Sequence, residues 1–112
     1  MKDRFLSYIQ FEKRFSPHTV TAYKADLNQF YDFLVRSDMD VDITKVSHLA
    51  IRAWLASMIE AGLTARSVNR KLTVLKTYFR FLIREGVVAV NPMRKVPSPK
   101  MKKNLPAFIG KE

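Results

Sequence analysis

The sequence predicts an all-α fold of four main helices and a short fifth one. Three observations lead there. Apolar residues recur at spacings of three and four through four segments, and strand-like alternation is hard to find. Serine or threonine precedes three of these segments, and glycine follows two of them, as helix caps require.

The first helix is expected over about residues 2–14, with Phe5, Tyr8 and Ile9 turned inward. It breaks before "RFSPHTV", where Ser16 can cap the next helix and Pro17 occupies the first turn, a position that tolerates a missing N–H. The second helix runs to about Arg36, and Val20, Tyr23, Leu27, Phe30 and Leu34 form one stripe along it. The acidic connection "SDMDVDIT" follows. Its Asp38, Asp40 and Asp42 imitate the first half of a calcium loop, but Ile43 stands where the turn glycine belongs and Leu49 where the bidentate glutamate belongs. It reads as a solvated loop. Ser47 caps a third helix ending near Gly62, with Ile51, Trp54, Leu55 and Met58 inward. The fourth helix is capped by Thr64 and closed by Gly86, around a core stripe of Val68, Leu72, Leu75, Phe79 and Leu82. A short helical turn is expected after Asn91–Pro92, and the prolines and lysines beyond it read as an extended basic linker.

At 112 residues the chain supports one hydrophobic core. No uncharged stretch approaches the ~18 residues of a membrane span. The first residues mix charged with apolar side chains, unlike a signal peptide, and the absence of cysteine excludes disulfides and thiolate metal sites. A soluble, intracellular chain is expected. Its charge is uneven: residues 1–60 are neutral overall, with eight basic and eight acidic residues, so residues 61–112 supply the whole net charge of +10. Such asymmetry points to a polyanionic partner, nucleic acid ahead of anionic membrane.

Catalytic chemistry is poorly represented. His18 and His48 fall at helix starts and read as exposed surface residues, and three glycines cannot build a phosphate loop. The carboxylates show no paired arrangement for acid–base work. Tyr8, Tyr23, Tyr31 and Tyr78 read as packing residues without the Arg/His setting a phosphate-transferring tyrosine needs. No catalytic residue, metal ligand or cofactor is expected in this chain. Binding is better represented. Arg66, Arg70, Thr73, Thr77, Arg80 and Arg84 share one face of the fourth helix, flanked by Lys71 and Lys76, and no acid interrupts the run from Arg66 to Arg84. Arg66 and Arg70 lie in its first turns, where the helix end itself favours phosphate. The second helix opens on a similar polar set of Ser16, His18, Thr19, Thr21 and Lys24.

Several of these features occur in an order that resembles the N-terminal core-binding domain of tyrosine recombinases, the phage integrase and Xer-type enzymes. They are Ser16-x-x-Thr19, Ala22-Tyr23-x-x-Asp26-Leu27, Arg70-x-Leu72-x-x-Leu75-x-x-Tyr78-x-x-Phe81-Leu82, and the ending Asn91-Pro92 with Pro99-Lys100. The resemblance covers roughly residues 3–100. It implies a compact SAM-like bundle over residues 1–99 that grips the recombination-site duplex as one half of a clamp. Residues 100–112 would then be the basic interdomain linker and, in "LPAFIGKE", the opening of a catalytic domain otherwise absent from this chain. In the family that domain holds an Arg/Lys/His/Arg constellation and the tyrosine that forms a 3′-phosphotyrosine, with no metal or energy cofactor. The fragment itself is therefore expected to be no enzyme. The resemblance favours Ser16, Thr19, Lys24, Arg66, Ser67, Asn69, Arg70, Lys71 and Lys76 as DNA-facing, with Lys100 and Lys102 on the linker. Its expected partners are double-stranded DNA and further recombinase protomers on that DNA, with no membrane and no small-molecule substrate, in the bacterial cytoplasm. A stand-alone helical DNA-binding regulator and a protein-interaction module are the alternatives.

Overall fold

The structure, a computed structural model, describes residues 2–96. Lys100, Lys102 and the boundary expected at residue 99 lie outside the described residues. Among those residues there are four main helices and no strand: α1 (Lys2–Ser7), α2 (Pro17–Arg36), α3 (His48–Glu60) and α4 (Ala65–Arg84). Single 3-10 turns lie at Ile43–Lys45 and Pro92–Lys95.

Three helices begin where the sequence places them. Ser16, Ser47 and Thr64 have extended backbones, and their hydroxyls accept the N–H groups of Thr19, Leu49 and Ser67, each at 3.2 Å. Asn91 caps the last 3-10 turn in the same way, through the Met93 N–H at 2.9 Å. The first helix departs from expectation. It is α-helical only to Ser7 and continues as a π-helical turn, Tyr8–Glu12. The wider turn closes through the Lys13 N–H on the Tyr8 carbonyl, 3.1 Å, and keeps Phe5 and Ile9 buried while Phe11 is left 70% exposed.

The helix ends share one device. After π-turn, α2, α3 and α4 the chain passes through a left-handed residue: Arg14 (φ 56°), Asp38 (φ 56°), Gly62 (φ 92°) and Gly86 (φ 77°). The next N–H reaches back over the helix end in each case: Phe15 to Ile9 at 2.9 Å, Met39 to Leu34 at 2.8 Å, Leu63 to Met58 at 3.2 Å and Val87 to Leu82 at 2.9 Å. The two glycines were legible as stops. Arg14 and Asp38 reach the same conformation at a steric cost that glycine would not meet.

The core is built around α4. Its expected stripe is buried, and so are Val74, Tyr78 and Phe81, so the helix is covered on more than one side. Phe5 packs on Tyr78 and Phe81 with ring centroids 5.0 and 5.5 Å apart, and Phe30 of α2 packs on Trp54 of α3 at 5.2 Å. All four residues expected inward on α3 are buried. On α2, Leu27, Phe30 and Leu34 are buried as expected and Phe33 joins them, while Val20 and Tyr23 are half-buried. Met93 and Val96 close the core beyond α4.

Two polar ties fasten α2 to α4. The Lys71 ammonium donates to Asp26 Oδ1 and to Gln29 Oε1, both at 2.7 Å, with Asp26 and Lys71 buried. Five residues further along α2, the Tyr31 hydroxyl meets the Tyr78 hydroxyl at 2.8 Å. Both partners advance in number together, so α2 and α4 run in the same general direction.

Two outcomes follow for stability. Lys71→Met leaves the Asp26 carboxylate buried without its cation and should cost about 3–5 kcal/mol in urea denaturation, whereas Asp26→Leu/Lys71→Met, which removes both charges, should recover most of that loss. Burial, with the hydrogen bond to Tyr31, pushes the Tyr78 phenol far above its ordinary range, and burial also raises that of Tyr31. Above about pH 10 the unfolded chain therefore binds fewer protons than the folded one, and stability should fall as pH rises. The same denaturation series at about pH 9 and about pH 11 should show a smaller fall for Tyr78→Phe.

Candidate nucleic-acid interface

Because α2 and α4 run in the same direction, their N-termini lie toward one end of the pair. From the Asp26–Lys71 contact, α2 extends back nine residues to Pro17 and α4 six to Ala65, roughly 13 and 9 Å of helix at 1.5 Å per residue. Each end presents a hydroxyl pair: Ser16 with Thr19 at 2.9 Å, and Thr64 with Ser67 at 3.2 Å. Each also carries the positive pole of its helix.

Arg66 and Arg70 stand one turn apart on α4, both exposed, and form the cationic part of this end. Among the described residues no acid pairs with Arg66. Arg70 is different: its guanidinium Nη2 lies 3.8 Å from Asp26 Oδ1, with 62% of the side chain exposed. Ser67 and Asn69 are half-buried beside them. Thr73 and Thr77 turn their hydroxyl protons back onto the Asn69 and Thr73 carbonyls, at 2.9 and 3.0 Å, and face outward only as acceptors.

Lys71 is a correction. The resemblance sets it among the DNA-facing residues, but the structure buries its ammonium against Asp26 and Gln29. The apolar stripe explains this, because Lys71 sits between Val68, Leu72 and Leu75, and its aliphatic stem follows them inward. Lys76 is half-buried. Lys24 is exposed, yet it lies two residues from Asp26 and hence roughly 160° round α2 from it, so the structure does not join it to the Arg66–Arg70 group.

The acid-free run from Arg66 to Arg84 is also not acid-free in space. Arg84 donates to the Tyr8 hydroxyl at 3.0 Å, stacks over that ring at 4.7 Å, and lies 3.9 Å from Glu12 and 3.7 Å from Glu85. It fastens the π-helical turn to α4. Arg80 is exposed among Lys13, Phe15, Thr77 and Arg84 along one groove, and among the described residues no acid pairs with it. Sequence reasoning gave Asp26 only as a position in the recombinase-like pattern, without a role, and did not name Gln29. The one signal available was an aspartate on the inward side of an apolar stripe, one residue before Leu27.

Other candidates resolve into local structure. Asp42 accepts the Thr44 N–H at 3.0 Å and hydroxyl at 2.7 Å, which together hold its carboxyl below the ordinary range, and Asp40 accepts the Asp42 N–H at 2.9 Å. These aspartates shape a turn. His18 is exposed as expected, whereas His48 is half-buried. Among the described residues no helix is long and apolar enough to cross a membrane.

The chain is similar in sequence and in fold to known proteins. The family described as phage integrase, N-terminal SAM-like domain, matches residues 3–86. The chain is 43% identical over 110 residues to a protein named tyrosine recombinase XerC of Oceanobacillus iheyensis, covering 98% of this chain and 36% of that one. The protein of the same name from Thermodesulfovibrio yellowstonii is 38% identical over 105 residues, covering 94% of this chain and 33% of that one. The chain thus spans about a third of the length of the curated relatives it matches. Its fold superimposes with a TM-score of 0.76 on the integrase from mycobacterium phage Brujita, at 24% identity over 95% of this chain and 34% of that one. The match over residues 3–86 shows that this chain belongs to the family of phage integrase N-terminal SAM-like domains.

Proposed function

We propose that the chain is the DNA-binding N-terminal part of a tyrosine recombinase and grips the recombination-site duplex as one half of a clamp. Strand cleavage and rejoining belong, in this reading, to a region of the longer protein outside this chain. The observation that supports it best is the common direction of α2 and α4, which gathers two helix N-termini, their hydroxyl pairs and two arginines toward one end. Helix ends and hydroxyls hold phosphates, while Arg66 and Arg70 have the reach and the forked donors to meet guanine edges in a major groove. Ser16, Thr19, Ser67 and Asn69 hold the register, and Lys24 and Lys76 flank it. Lys100 and Lys102 extend the phosphate contacts. Further protomers bind the same DNA, and the protein acts where that DNA is, in the cytoplasm.

Titration of a fluorescent duplex by anisotropy tests the reading. Arg66→Ala or Arg70→Ala should weaken binding to the recombination site by about 1–3 kcal/mol where the arginine reads a base. Affinity unchanged in both variants would remove α4 from the interface. Repeated between about 50 and 200 mM salt, log affinity should fall with log salt by about 0.9 per phosphate neutralised, from an affinity in the non-specific range of ~10⁻⁴–10⁻⁶ M, because one half of a clamp buries less surface than the whole. An acidic polypeptide that binds as well as the duplex would assign the basic end to a protein partner.

A further inference from the structure

Asp26 is an unusual resident of the α2–α4 interface. It is an acid only 3% exposed, on a helix face otherwise given to Leu27, Phe30 and Leu34. Lys71 satisfies Oδ1 at 2.7 Å, and Oδ2 is buried with no hydrogen-bond partner among the described residues. The next nearest cation is Arg70, 3.8 Å from Oδ1, and it is one of the two arginines at the N-terminal end of α4. A buried carboxylate with one oxygen unpartnered and a second cation 3.8 Å from the other is more than a structural ion pair needs.

We infer that Asp26 is a positioning residue for Arg70. Lys71 holds the carboxylate in place from the buried side, and the Arg70 guanidinium stands 3.8 Å from the same Oδ1 on the solvent side. The opposite edge of the fork is then presented outward, toward the duplex. An arginine side chain loses considerable rotamer freedom when it binds, and a carboxylate that fixes it beforehand removes part of that loss. The inference rests on the reading that the N-terminal end of α4 meets DNA.

Plain electrostatics predicts the opposite sign. Asp26→Asn adds one unit of positive charge near the proposed interface and by itself should tighten phosphate binding. Positioning predicts that Asp26→Asn weakens duplex binding about two- to tenfold, the worth of one immobilised side chain, and does so only when Arg70 is present. The test is a double-mutant cycle of Asp26→Asn with Arg70→Ala, read by anisotropy on a short mixed-sequence duplex at fixed salt, with Asp26→Asn/Arg66→Ala as a parallel cycle. The expected result is loss in the parent and in the Arg66→Ala background, and none in the Arg70→Ala background. Equal loss in all backgrounds would make Asp26 purely structural and overturn the inference, as would tighter binding by Asp26→Asn. Should Arg70→Ala leave affinity unchanged, the reading of α4 falls at that residue, and the inference with it. If Asp26→Asn does not fold, Asp26→Leu/Lys71→Met replaces it in the same cycle, since it removes the carboxylate without leaving a buried charge alone.

Discussion

The contact between Asp26 and Lys71 fixes how the two longest helices meet. A buried carboxylate and a buried ammonium tolerate little sliding, because displacement along α2 or α4 would separate two charges in a medium that screens them poorly. The pair thereby sets the register of α2 against α4, and the Tyr31–Tyr78 hydroxyl contact repeats that register five residues later on α2 and seven later on α4. Apolar packing alone would accept neighbouring registers more readily, since leucine and phenylalanine attract without direction. The aromatic group of Phe5, Tyr78 and Phe81 then brings the N-terminal segment onto α4.

Charge on this molecule is sorted by tertiary neighbours more than by sequence neighbours. Counted along α4, the basic residues make one uninterrupted series. In space they divide into separate groups: Arg66 and Arg70 toward the N-terminus, Lys71 inside, and Arg84 engaged with Glu12, Glu85 and Tyr8 at the far end. A helix whose own acids are missing can be supplied with acids from other elements, and here Asp26 and Glu12 do so. Net charge therefore overstates what the face of α4 presents outward.

Most of the fold was legible because its signals are local. Ser16, Ser47, Thr64 and Asn91 announce helix starts by side chains that bond within three residues, and Gly62 and Gly86 announce stops by a backbone angle that suits glycine. The π-helical turn was not legible, since no residue type in "YIQFE" demands a wider turn and only the tertiary placement of Tyr8 and Ile9 selects it. The ends of the first two helical segments were placed near Arg14 and Arg36, but the left-handed conformation of Arg14 and Asp38 was not legible, because neither residue type marks it as glycine does. For the candidate site, Arg66, Ser67 and Arg70 could be named from spacing along one helix. The burial of Lys71 could not, because its partner is 45 residues away on α2.

The N-terminal ends of α2 and α4 give this molecule a charge of a second kind. Each helix start, at Pro17 and at Ala65, carries about half a positive elementary charge. That charge resides in peptide groups. It needs no proton, so acid and base leave it alone, and it cannot be acetylated away or folded back onto a neighbouring carboxylate as a lysine can. Whatever anion these ends receive meets an attraction anchored in the backbone, over which the arginines add choice.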